Sequence, residues 1–284
     1  MLRKLMKHEL LATGRVMLPM LALVLLAAVG GNISTYRLLE TDNGVLNTLG
    51  VLLLTVFIVA IFTACILSVV LMIHRFYKNL LRDEGYLMMT LPATVHEHVL
   101  SKLLISVLWF ALTTISVVLA FFILVYQAEP ASAFFAEIGA ILRALAAEGY
   151  GAHAFVFALE LLLLAAAGCA VFCLQAYAAM AVGHSFTSHK ALFSIAAYFL
   201  IQTAMQIVYI LLANAAGKTV FHFINSFIES TMIETTLANG TTLYMSSPLT
   251  MHVILLSTLG VIALHGAAFY AITAYFMKNK LNLN

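Results

Sequence analysis

The sequence predicts an all-α integral membrane protein with six spanning helices. Apolar residues make up 63% of its 284 residues and charged residues only 9%, against roughly 25% charged in a soluble domain. Mean hydropathy is +1.05. Six apolar runs reach the roughly 18 to 20 residues needed to cross a hydrocarbon core about 30 Å thick. Lipid offers no hydrogen-bonding partner to a bare backbone, so each run has to be helical. The spans are expected at residues 16–36, 46–74, 98–126, 153–182, 190–213 and 250–277, and residues 1–284 read as a single transmembrane domain. Composition implies membrane lipids as a partner and gives no sign of a nucleic-acid-binding surface.

Residues 1–15, MLRKLMKHELLATGR, place Leu2, Leu5, Met6 and Leu10 on one side of a helical wheel and Arg3, Lys4 and Lys7 on another. That pattern predicts a short interfacial helix, with its apolar side in lipid and its cations at anionic head groups. The apolar run that follows is longer than the roughly 7 to 15 residues of a signal-peptide core and lacks a small-residue cleavage site, so it is expected to stay as the first span.

Between the second and third spans lies RFYKNLLRDEGYLMMTLPATVHEH. Six of the 26 charged residues fall here: Arg75, Lys78, Arg82, Asp83, Glu84 and Glu97. Beside them runs an apolar stretch, Tyr86 to Leu91, too short to cross a bilayer and closed by Pro92. Charge next to an uncovered apolar run reads as a docking element over residues 75–97.

Two further loops are patterned. In 127–152, Phe134, Phe135, Ile138, Ile141, Leu142 and Leu145 recur at spacings of three and four, which predicts an amphipathic helix before the fourth span. The loop 214–249 mixes Phe221, Phe223, Ile224, Phe227 and Ile228 with polar positions and is expected to be helical as well, dipping into the bilayer before the sixth span.

Lys and Arg set the orientation. Eleven of the 14 (Arg3, Lys4, Lys7, Arg15, Arg75, Lys78, Arg82, Lys102, Lys190, Lys278 and Lys280) fall on the side of the termini, and three on the other. Both termini and the 75–97 segment are thus expected in the cytoplasm, and the loops 127–152 and 214–249 outside.

Glu160 is the one acid inside an expected span. A charge in mid-bilayer costs roughly 3 kcal/mol on insertion scales, so it reads as facing a cavity or substrate path, as an anchor near the interface, or as neutralised by protonation. The small residues after it, Ala165, Ala166, Ala167, Gly168 and Ala170, predict a close helix approach.

Several motifs fail chemically. Gly217 to Thr219 reads GKT, but Leu212 stands where a phosphate-binding loop needs glycine. His96, Glu97 and His98 lack a histidine four positions on, where Leu100 stands, so no zinc-protease face forms. Cys65, Cys169 and Cys173 give an odd count with no disulfide framework. Gly183, His184 and Ser185 have no carboxylate to orient a nucleophile. No metal, cofactor or catalytic residue is expected in this chain.

The segment FYKNLLRDEGYLMMTLP, followed by HVLSKLL, resembles the cytoplasmic signature of type-2 ABC transporter permeases of bacteria, especially Firmicutes. The specific match covers Phe76 to Leu104, and Arg82 stands where that family usually has a small residue. The resemblance implies the permease subunit of an exporter in the bacterial cell membrane, paired with a second permease as homodimer or heterodimer. It also implies two copies of a separate ATP-binding subunit, which carries ATP and Mg²⁺. Under it, residues 75–97 hold the coupling helix. Asp83 and Glu84 meet polar groups of the ATP-binding subunit, Gly85 makes a turn, and Tyr86, Leu87 and Met88 fill a cleft. GHSFTSHK, with His184, His189 and Lys190, is the second cytosolic contact. The apolar pathway implies hydrophobic or amphipathic substrates such as peptides, lipids or drugs. From other classes, a membrane scaffold or sensor without an energy source, and less favourably an intramembrane enzyme, remain as alternatives.

Overall fold

The computed structural model describes residues 1–39, 41, 43–82, 85, 93–126, 128–147, 151–186, 189–230, 232–236 and 242–279. Its elements in chain order are α1 (Leu2–Ile33), α2 (Gly44–Phe76), α3 (Val95–Val125), α4 (Ala128–Ala147), α5 (Gly151–Gly183), α6 (Lys190–Ser230), β1 (Met232–Thr236), β2 (Thr242–Ser246) and α7 (Pro248–Asn279). Among the described residues six helices are long and apolar enough to span a membrane: α1, α2, α3, α5, the Lys190–Ala215 part of α6, and α7. The chain is a multi-pass helical membrane protein.

Both α1 and α2 run on into a π-helical turn, Ser34–Leu38 and Tyr77–Leu81 respectively. A π turn inserts one residue per turn and so rotates the following side chains relative to the helix before them. After α2 it brings Asn79, Leu80 and Leu81 inside.

The spans pack as two groups. In the first, α1 lies against α3 and α2; in the second, α5 lies against α7 and α6. Met17, Val24, Phe57, Ile105 and Trp109 fill the first core. Phe76, Leu80, Val99, Cys173, Tyr177 and Phe269 fill the second, which joins the ends of α2, α5 and α7 to the start of α3. Phe76 stacks on Tyr177 with ring centroids 3.9 Å apart. Large apolar side chains such as Leu26, Phe62, Leu162, Leu200 and Leu264 stay exposed on the outer faces of the bundle, as expected where the surroundings are lipid.

Helix ends are satisfied locally. Asn43 Oδ1 accepts from the Val45 N–H at 3.1 Å to start α2. Thr94 and Glu97 form a reciprocal capping box that starts α3. At the far end of α3, Asn32 Nδ2 of α1 lies 3.0 Å from the carbonyl oxygens of Ile123 and Leu124 and 2.9 Å from that of Tyr126. Carbonyls at a helix end lack the usual i+4 donor, so one amide both caps α3 and fixes it to α1.

The structure departs from the sequence-based expectations in the following places. Residues 1–15 are not a separate interfacial helix; they are continuous with the first span, and Glu9, Thr13 and Gly14 are buried. A polar contact to α3 draws Glu9 inward, which a helical wheel does not register. The segment before the last span is not wholly helical: α6 continues to Ser230 through a non-helical Gly217 at φ +60°, and β1 and β2 then pair antiparallel, Met232 opposite Ser246. Only glycine adopts that φ cheaply, so the GKT glycine is a break in a helix. Finally, the alanine-rich stretch makes its contact at one end only: Ala165 and Ala166 are exposed, and Ala170 packs against the second core. A Cβ built on Gly168 meets nothing within 4 Å. The tightly buried part of α5 is Cys173 to Ala181, further along the helix.

Candidate functional site

The site begins with the one acid in the basic amino-terminal stretch. Glu9 projects from α1 toward α2 and α3, where Lys102 Nζ lies 2.5 Å from its Oε1. Their side chains are 9% and 2% exposed. The same oxygen accepts from Asn79 Nδ2 at 3.1 Å. One carboxylate thus ties together the first span, the π turn that ends the second, and the second turn of the third. A buried charge is tolerated only when paired and hydrogen-bonded, and here both conditions hold.

A second layer supports it. The Thr13 hydroxyl donates to the Glu9 carbonyl at 2.7 Å and accepts from Trp109 Nε1 at 2.7 Å. This links α1 to α3 one turn deeper.

From Asn79 the chain leads to the second predicted contact. Tyr77, in the same π turn, meets the ring of His184 edge-on at 5.3 Å. The Arg82 guanidinium lies 5.2 Å over the Tyr77 ring, and its Nε donates to the Tyr77 hydroxyl at 3.3 Å. His184 is 2% exposed and its Nδ1 lies 2.9 Å from the Met180 carbonyl. Burial pushes the His184 proton affinity below the ordinary imidazole range; Lys190 adds to that, while the Met180 carbonyl opposes it. His189 has φ +50° and is exposed, and Lys190 begins α6 half-buried. The described parts of the two stretches that the sequence singles out, 75–97 and 183–190, therefore meet at one end of the bundle through Tyr77 and His184. At this end an apolar groove of about 580 Å³ opens between α2, α5 and α6, lined by Ile73, His74, Tyr77, Met180, His184 and Tyr198 among others.

Of the six docking residues expected between the second and third spans, Gly85 is described. It is buried and its N–H donates to the Arg82 carbonyl at 2.7 Å. Asp83, Glu84, Tyr86, Leu87 and Met88 lie outside the described residues. Beyond them, His96 Nδ1 lies 2.7 Å from the Tyr270 hydroxyl, which holds the first turn of α3 against α7.

Glu160 sits at the other end of the bundle. It is buried, with Oε2 2.8 Å from His252 Nδ1 on α7. His252 Nε2 in turn lies 3.0 Å from His153 Nδ1. Glu160 is thus a partner in an α5–α7 contact.

Sequence reasoning missed Glu9, Asn79, Thr13 and His252. Only Glu9 carries a readable signal, as a lone acid among Arg3, Lys4 and Lys7 on a helix that enters a span. Among the described residues no group of three His, Cys, Asp or Glu side chains is gathered to hold a metal. No protein-family model, curated protein or solved structure matches the chain significantly.

Proposed function

We propose that this chain is the membrane-spanning permease subunit of an ATP-driven exporter for hydrophobic or amphipathic substrates, working with a separate ATP-binding subunit. The observation that carries the reading is the 76–104 segment, whose sequence resembles a coupling region and whose flanks are fixed to the rest of the bundle. On one side Asn79 is held by Glu9; on the other, Lys102 is held by the same carboxylate. A push delivered between those flanks has a stiff path into α1, α2 and α3. The edge contact of Tyr77 with His184 extends that path to α5.

In this reading the permease works in pairs, in a bacterial cell membrane with both termini in the cytoplasm. ATP binding by the partner favours one arrangement of the spans over another by its differential affinity. The groove between α2, α5 and α6 supports an amphipathic substrate, since it combines an apolar wall with His74, Tyr77 and His184.

The test is co-purification with a cognate ATP-binding subunit, followed by transport and ATPase assays in proteoliposomes. Replacing Tyr86 and Leu87 together with Ala is expected to lose the partner. Glu84→Lys is expected to keep the partner but lower transport more than basal ATP hydrolysis. Wild-type assembly and transport in both variants would overturn the reading.

A further inference from the structure

At the end of the bundle remote from Glu9, three titratable side chains touch in line. Helix α5 has 33 residues, about 50 Å at 1.5 Å per residue, and its far end is the His184 side. Near its start, exposed His153 lies 3.0 Å from His252 of α7, and His252 lies 2.8 Å from buried Glu160 one turn or more deeper. The Phe157 ring stacks on His252 with centroids 4.1 Å apart. Transport or no transport, this arrangement has a chemistry of its own.

An ionised carboxylate only accepts, so His252 Nδ1 carries the hydrogen that faces Glu160. In neutral His252 that leaves Nε2 as an acceptor, and His153 Nδ1–H donates to it. A proton arriving at His153 Nε2 makes that ring an imidazolium. His153 then passes its Nδ1 proton to His252 Nε2, and the charge rests on His252 between the Glu160 carboxylate and the Phe157 face. One proton has been gained, the His–His bond has reversed direction, and every polar atom in the line keeps a partner. The buried product is an ion pair with no net charge, the form in which charge is tolerated inside a membrane, and an aromatic face adds a cation–π contribution.

We propose that His153, His252 and Glu160 form a proton-binding relay, which carries a proton from the surface to the buried carboxylate and whose occupancy sets how firmly the first turns of α5 and α7 are held together. Imidazole is the side chain whose ordinary titration falls between pH 5 and 8. The packed neighbours carry the following charged and titratable groups among the described residues. On α6, Tyr209 is engaged with His265 of α7, and His222 and Glu229 follow the Gly217 break. On α4, Glu137 and Arg143 are exposed. Those of α3 (His96, Glu97, His98 and Lys102), together with His74 and Arg75 of α2, lie at the opposite end.

The experiment uses the full chain in lipid nanodiscs with ¹⁵N-labelled imidazoles, titrated from pH 8 to pH 5 and assigned with His153→Gln and His252→Gln. In the wild type the ring nitrogens of His153 and His252 are expected to respond over the same interval, because one proton is shared between them. Glu160→Gln, nearly identical in shape, is expected to abolish the shared response while His153 still titrates. Thermal unfolding provides a second reading: the wild-type difference in melting temperature between pH 8 and pH 5.5 is expected to shrink at least twofold in Glu160→Gln. Independent titration of the two imidazoles in the wild type, or unchanged curves in Glu160→Gln, would overturn the relay. Neither result depends on the exporter reading.

Discussion

Lys102 Nζ lies 2.5 Å from Glu9 Oε1, with both side chains buried between the first and third spans. The pair is separated by 93 residues of sequence, so it fixes a relation between helices that local propensity cannot set. Removing one partner of such a pair leaves a buried charge without compensation, which costs about 3–5 kcal/mol, whereas replacing both with apolar groups is often neutral. Lys102→Met is therefore expected to lose about 3 kcal/mol or more, and Glu9→Met/Lys102→Met to recover most of it. Thermal unfolding in detergent for both variants checks this. Equal losses in the single and double variants would mean that the pair contributes packing alone.

The Thr13 hydroxyl is the acceptor for the indole of Trp109, at 2.7 Å. Thr13→Val keeps the shape and removes the acceptor, leaving a buried N–H unsatisfied at a cost of about 1–3 kcal/mol. Trp109 is the one tryptophan in the chain, so its fluorescence reports this site without interference. The emission is expected to change in Thr13→Val and to stay at the wild-type value in Thr48→Val, whose hydroxyl bonds only within its own exposed turn at Gly44.

The spans were legible because lipid imposes a length and a composition, and both are written locally in the chain. Most of their ends were legible within a few residues, but the first span, expected from residue 16, belongs to a helix that begins at Leu2, and the Thr94–Glu97 capping box that starts α3 was not part of the expectation. What stayed hidden is polar and nonlocal. Glu9 reads as one more charge on an interfacial helix until Lys102 and Asn79 are brought to it. Glu160 reads as an isolated acid until His252, 92 residues away, supplies its partner. The π turn at Tyr77–Leu81 has no sequence signature, yet it decides that Asn79 points inward.

His184 gives a pH dependence. Its folded-state proton affinity is held below the ordinary value by burial, so the unfolded chain takes up the proton first as pH falls. The stabilisation is fully present above the ordinary imidazole pKa of about 6.5 and is lost as pH falls from there through the lowered folded-state value. A chain with neutral Gln in place of His184 has no such proton to bind. His184→Gln is therefore expected to flatten the part of the stability curve between pH 7.5 and pH 5.5, measured by denaturation in detergent. An unchanged slope would show that the buried imidazole stays uncoupled from folding.

Gly183 and Gly168 sit on the same helix and make opposite predictions. A Cβ on Gly183 would lie 2.4 Å from the backbone nitrogen of Ser194 and 2.5 Å from its Cα, whereas a Cβ on Gly168 meets nothing within 4 Å. Backbone cannot swing aside as a long side chain can, so Gly183→Ala has to separate the end of α5 from the start of α6, an overpacking cost of about 1–3 kcal/mol or more. Gly168→Ala is expected to stabilise α5 by up to about 1 kcal/mol, because alanine is the better helix former and no neighbour is displaced. Adding Ser194→Gly to Gly183→Ala removes the side-chain oxygen at that contact but leaves the nitrogen and Cα in place. It is therefore expected to rescue little. Unfolding temperatures for the two single variants and the double variant decide the matter. Wild-type stability in Gly183→Ala, or full rescue by Ser194→Gly, would mean that the two helices approach less closely than a backbone contact requires. The site consequence follows from position: His184, Tyr77 and Lys190 all adjoin this crossing, so a displaced α6 should also open the Tyr77–His184 ring contact.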